Sequence, residues 1–109
     1  MLKIDKNNIY LTRGDSAAIQ IYLEDTNGDP YTPVEGDEIR FALKRNYEDF
    51  RCLIKKPIPT DTLMLNLTST ETEKLDFGKY YYDIQLTRLD GTVDTFIDRA
   101  LFISTEEVD

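Results

Sequence analysis

The sequence predicts an all-β fold, an Ig-like antiparallel β-sandwich of about seven strands with one short helical turn. Three observations predict it. Apolar and polar residues alternate over short segments, which is the period of a half-buried strand. Gly, Pro, Asn and Asp interrupt these segments roughly every ten positions. Residues 79–104 read as a long hairpin folded about Asp90-Gly91. The length of 109 residues suits a single domain spanning 1–109, and a hydrophobic content of 40% is too high for a disordered tail.

Residues 8–12 form a short first strand, and Arg13-Gly14-Asp15 turns the chain. Over 16–23, Ala17, Ile19, Ile21 and Leu23 share one face, with Ser16, Ala18, Gln20 and Tyr22 on the other. The run Asp25-Thr26-Asn27-Gly28-Asp29-Pro30 is a dense turn signal. Residues 31–34 read as a short edge piece, because Pro33 cannot donate to a ladder. After the turn at Glu35-Gly36-Asp37, residues 38–44 alternate with Ile39, Phe41 and Leu43 facing the core. Residues 45–50 read as a loop and 51–56 as a strand ended by Pro57 and Pro59. A helix over 47–54 competes, since Tyr47, Phe50 and Ile54 recur at near-helical spacing.

Residues 62–67 alternate through Leu63, Leu65 and Leu67. Thr68-Ser69-Thr70-Glu71 and Thr70-Glu71-Thr72-Glu73 both match a capping box, so 68–75 is the candidate helical turn. In the hairpin, Asp90-Gly91 predicts a two-residue type I′ loop. That register sets Ile84 opposite Ile97, Leu86 opposite Thr95 and Tyr80 opposite Leu101, with Tyr80, Tyr82, Ile84 and Leu86 in the core. It also sets Asp83 opposite Asp98, a like-charge pair that calls for a bulge near Asp98 or a nearby cation.

Composition narrows the chemistry. The chain has no His, one Cys and no Trp. His-based triads and imidazole metal ligands are excluded, as are an internal disulfide and a Cys-based zinc site. Cys52 reads as a small buried or half-buried hydrophobe. The sequence therefore points to no enzyme, no catalytic residues, no metal and no cofactor. Thirteen basic against 21 acidic residues give a net charge of -8, which disfavours nucleic acid as a partner. No segment approaches the roughly 18 apolar residues that span a bilayer, and the first residues lack a signal-peptide core, so no membrane partner is expected.

The candidate interaction surface has two parts. One is a small basic cluster of Arg51, Lys55 and Lys56 with Lys44 and Arg45. The other is the outer sheet face carrying Tyr81, Gln85 and Phe96, since Tyr is enriched at interfaces. Residues 9–11 and 51–56 are the expected edge strands. Arg13-Gly14-Asp15 reads as a Gly-permitted turn rather than a displayed recognition tip. Asp25, Asn27 and Asp29 have the spacing of an EF-hand start, but Pro30 stands where that loop needs Gly and Gly36 where it needs Glu. They read as a turn capping its own backbone.

The order of motifs is strand, Arg13-Gly14-Asp15-Ser16, strand, Gly36-Asp37-Glu38-Ile39-Arg40-Phe41, and later Gly78-Lys79-Tyr80-Tyr81-Tyr82-Asp83-Ile84 with Gly91-Thr92-Val93-Asp94-Thr95-Phe96. It resembles small prophage-encoded proteins of Gram-positive bacteria and the Ig-like N-terminal domains of phage baseplate proteins. The resemblance implies a non-enzymatic tail or baseplate component. Its partners would be other phage structural proteins or further copies of itself, and its place the cytoplasm of the producing bacterial cell and then a virion. The alternative is a ligand-binding Ig-like module for carbohydrate or calcium, using Asp25, Asn27, Asp29 and exposed Tyr. A small acidic mimic of nucleic acid is a third reading, which needs clustered carboxylates; along the sequence they look scattered.

Overall fold

A computed structural model describes residues 1–106. Eight strands and one helix follow in the order β1 (Leu2–Asp5), β2 (Asn8–Thr12), β3 (Ala17–Gln20), β4 (Glu38–Lys44), β5 (Ile54–Ile58), β6 (Met64–Leu67), α1 (Ser69–Glu73), β7 (Gly78–Thr87) and β8 (Val93–Thr105). Six strands form one sheet in the order β1-β2-β8-β7-β4-β5, and β3 pairs with β6 in a second, small sheet. The fold is all-β, as the alternation predicts. The large sheet is mixed rather than antiparallel throughout, because β2 runs parallel to β8. Gly14, at φ +86, makes this arrangement feasible by turning the chain from β2 into the other sheet.

The inner faces meet in one core. Ile39, Phe41, Leu43, Tyr80, Tyr82, Ile84, Leu86 and Phe102 of the large sheet pack with Ile19, Leu65 and Leu67 of the small one. The Tyr82 hydroxyl donates to the Asn7 carbonyl, and burial pushes its pKa up to about 12. Tyr80 donates to Asp76 O at 2.8 Å.

The β7–β8 hairpin departs from the expected register. Gly91 N donates to Arg88 O and Arg88 N to Thr92 O, so the loop has three residues, Leu89-Asp90-Gly91. Only Gly91 of these takes positive φ, which is a type I turn closed by a left-handed glycine rather than type I′. Asp90 Oδ1 accepts from the Thr92 hydroxyl and N–H, and these bonds hold its carboxyl below the usual range. Two bulges then shift β8 along β7. Leu86 faces Asp94 and Gln85 faces Thr95, Ile84 faces Ile97, and Tyr82 faces Ala100. Of the expected pairs only Ile84 with Ile97 forms; Tyr80 faces Phe102. The bulge near Asp98 forms, with Arg99 at φ +59. A cation is present as well, since Arg40 Nη1 reaches Asp83 Oδ1 at 2.8 Å.

Other expectations need correction. Residues 31–34 form no strand. Tyr31 N instead donates to Leu23 O, and the Tyr31 hydroxyl and Val34 N both donate to Asp37 Oδ2. The strand expected over 51–56 lies at Ile54–Ile58, because Ile54 and Ile58 bury opposite Leu43 and Ile39. Pro57 sits inside it rather than ending it, which an edge strand tolerates. No helix forms over 47–54, and Cys52 is exposed in the loop before β5. Residues 9–11 are not an edge, since β1 covers β2. Leu2–Asp5 escaped the sequence reading altogether.

Of the two candidate capping boxes, the first forms. Thr68 Oγ1 accepts from Glu71 N, and Glu71 Oε1 accepts from Thr68 N at 2.9 Å. Lys56 Nζ joins this network, donating to Glu71 Oε1 at 2.8 Å and to the Asn66 carbonyl. One ammonium thus ties β5 of the large sheet to β6 and α1. Burial alone would raise the Glu71 pKa, but hydrogen bonds from Lys56 and from the Thr68 N–H and hydroxyl outweigh it and hold the carboxyl low. A depressed folded pKa stabilises the protein above the unfolded value of about 4.3, and this contribution fades as pH falls through the folded value. Glu71→Gln should therefore flatten the acid limb of a plot of melting temperature against pH, measured by circular dichroism. Lys56→Met should lower the melting temperature at neutral pH. An acid limb identical to wild type would contradict the assignment.

Candidate interaction surface

Three loops meet at one end of the elongated molecule, whose extents are 46 × 27 × 24 Å. They are residues 24–38, 59–63 and 88–94. The first and third interlock. The Tyr31 ring packs on Phe96 at 5.3 Å, and the Arg88 guanidinium lies over Tyr31 at 5.8 Å. Gly36, at φ +92, sits against Leu89, where an added Cβ would lie 2.8 Å from the Leu89 Cβ. Residues 59–63 lie beside the first loop, since Thr60 shares a recess with Asp37 and Glu38, and Ile21 N donates to Leu63 O.

These loops carry nine acidic residues and a single basic one, Arg88. Their imbalance equals the net charge of the whole chain, so the remainder is balanced. Arg88 is itself paired with Asp94. The acidic side chains come from segments distant in sequence, so what looks scattered along the chain is concentrated in space. The same end displays Val34, Leu89 and Val93, with Leu89 83% exposed. Val34, Glu35, Asp37, Arg88, Leu89 and Asp90 line a shallow recess of about 330 Å³. Asp37 is buried in its wall. Its Oδ2 accepts from Tyr31 and Val34, while Oδ1 has no protein partner. The Asp37 bond is the leading cause of a raised Tyr31 pKa; burial and the Asp37 charge add to it, and Arg88 opposes it. Neutral loops can lie anywhere, but nine carboxylates of like sign create a directional field at one pole.

The residues singled out from the sequence divide. Tyr81 and Gln85 lie half-buried on the outer face of the large sheet, as expected. Gln85 Oε1 accepts from Arg40 Nη2 at 2.6 Å. Lys55 lies exposed in β5, opposite Ala42, and Arg51 is exposed in the loop before it. Lys56 is committed to Asn66 and Glu71. Phe96 does not join Tyr81; as a bulge residue it turns to Tyr31. Two residues missed by the sequence reading complete the outer face. Tyr47 meets Tyr81 edge-on at 6.0 Å, and Arg99 lies 4.2 Å over the Tyr47 ring. The left-handed backbone at Arg99 aims it there, a re-aiming that alternation alone does not reveal.

Arg13-Gly14-Asp15 is no displayed tip. Arg13 Nε donates to Leu75 O at 3.1 Å, and the Asp15 carbonyl accepts from Thr72. Asp25 Oδ1 accepts from the N–H groups of Asn27 and Asp29, closing its own turn. Among the described residues no three acidic side chains gather as a metal site. No helix there is long and apolar enough to cross a membrane. Comparison of the chain with protein-family models, curated proteins and solved structures finds no match.

The Gly36–Leu89 contact should hold the pole in shape. Gly36→Ala meets both an unfavourable φ and a close neighbour, whereas Gly28→Ala meets only the φ, with nothing within 4 Å. The strain of a left-handed alanine is about 1–2 kcal/mol. Gly36→Ala should lower the melting temperature more than Gly28→Ala, and adding Leu89→Gly, which removes the clashing Cβ, should recover part of the difference. Equal losses in the two single variants would show that the contact contributes nothing.

Proposed function

We propose that this chain is a non-enzymatic Ig-like β-sandwich that acts through protein–protein contacts, as a tail or baseplate component of a phage or prophage particle. The acidic pole is its docking end. One observation carries the reading: the entire charge excess falls in three neighbouring loops that also expose Val34, Leu89 and Val93. Apolar side chains ringed by like charges suit a partner that is basic at its rim and apolar at its centre.

Several features support the Ig-like assignment. β8, β7, β4 and β5 are neighbours in one sheet, β3 and β6 pair in the other, and β2 lies parallel to β8. Tyr80 near the start of β7 bonds backbone four residues upstream, in the manner of the tyrosine corner of such sandwiches. The phage assignment draws its support from the motif order alone.

Clustering of the carboxylates also favours a second reading, a mimic of nucleic acid. That reading requires heparin, a simple polyanion, to compete for the same partner. A partner that heparin fails to displace removes it.

The test uses particles isolated on a density gradient from cells producing the chain. Wild-type protein should travel with the particles. Glu35→Lys with Asp61→Lys and Val34→Ser should leave the fold intact, since all three side chains are exposed and none is part of the Gly36–Leu89 contact. Their recovery in the particle fraction should fall roughly tenfold, as loss of an interfacial anchor and its charges is worth that much or more. Wild-type protein found only in the free fraction would refute the assembly role. Equal recovery of wild type and variant would refute the pole as the docking end.

A further inference from the structure

The large sheet ends in two free strand edges, and they differ. At β5, Pro57 has no N–H to offer and Lys55 is exposed, both of which hinder pairing with another strand. In the small sheet, the Asn66 carbonyl of β6 is already taken by Lys56, and β3 exposes only Ala18 and Gln20. β1 lacks the proline, and its charged residues Lys3 and Asp5 are of opposite sign, so they can pair across a second copy rather than repel it. Its four residues are all exposed, it contains no proline, and its pairing with β2 is regular from Leu2 to Asp5.

β1 also leaves apolar surface uncovered. Leu2 and Ile4 lie opposite Leu11 and Ile9 in register. Leu11 and Ile9 are buried, while Leu2 and Ile4 remain 38% and 47% exposed. The core face of the sheet thus runs one strand beyond its cover.

The sequence of this strand is complementary to itself. Laid antiparallel with Ile4 opposite Ile4 of a second copy, Lys3 of each chain faces Asp5 of the other. Opposite charges flank an apolar pair, which is the favourable cross-strand arrangement. A two-fold axis makes both contacts at once. The same axis points the two acidic poles in opposite directions, because antiparallel pairing reverses one molecule relative to the other, and like charges stay apart.

We propose that β1 is the self-association edge of this protein, pairing with β1 of a second copy to join two large sheets into one continuous sheet. The inference rests on the reading of the chain as an assembly protein and names one of its partners. Its test does not touch the acidic pole, so either claim can fail while the other stands.

The experiment is light scattering behind a sizing column on the full chain, across a wide concentration range. Wild type should show a mass rising to twice that of the monomer. Lys3→Asp and Asp5→Lys each place like charges across the interface and should weaken the dimer roughly tenfold. The double variant Lys3→Asp with Asp5→Lys restores opposite pairs and should return the dimer to near wild-type strength. Circular dichroism on each variant should match wild type, since β1 is exposed. A wild type that stays monomeric, single variants that dimerise undiminished, or a double variant that fails to recover would each overturn the proposal.

Discussion

The structure depends on how β8 pairs with β7. β8 is the longest strand, and it is bound on one side to β7 and on the other to β2. Its apolar positions change parity along its length, with Ile97 facing the core at one point and Ala100 and Phe102 further on. A strict period of two cannot bury all three, so an extra residue must be accommodated between them. The bulge at Asp98 and Arg99 does this. It requires a left-handed Arg99, a strain of about 1–2 kcal/mol, offset by burial of Phe102 against the core. The second bulge frees Phe96 from the alternation and lets it receive Tyr31. The same hairpin therefore holds the core, anchors the first loop of the acidic pole and aims Arg99 across the outer face.

Charge in this molecule is organised along its length. Lys56 and Glu71 stitch the sheets together, and near the other end Arg13 is spent on the Leu75 carbonyl and the Phe77 ring. Within the three loops of the pole the single cation, Arg88, is paired with Asp94, and acidic residues outnumber basic ones. Such unbalanced charge opposes compactness, and the interlock of Gly36 with Leu89 and of Tyr31 with Asp37 keeps the loops together against it.

Much of the fold was legible in the residues. The alternation over 38–44 matches β4, and the pattern of Thr68 and Glu71 locates α1, because a capping box is a local arrangement with little dependence on the rest of the chain. The core faces of β3, β4 and β7 also follow from period two. What escaped was non-local or subtle in parity. Asp90-Gly91 is compatible with a two-residue or a three-residue loop, and the difference of one residue displaces the register of everything beyond it. β1 is only four residues long and buries nothing, so its Leu2 and Ile4 give a weak signal. The parallel contact of β2 with β8 joins the two ends of the chain, which no local pattern reports. The site was less legible than the fold for the same reason. Tyr81 and Gln85 could be placed on a face, but Phe96 left it through a bulge, and the carboxylates became a cluster only when three loops met.

The pairing of β8 with β7 is tested most directly by cross-strand nuclear Overhauser contacts in labelled protein. Contacts of Leu86 with Asp94, Ile84 with Ile97, and Tyr82 with Ala100 are expected. A single uninterrupted register, with Leu86 against Thr95 and Tyr82 against Arg99, would contradict this pairing and remove the physical basis for both the core and the pole.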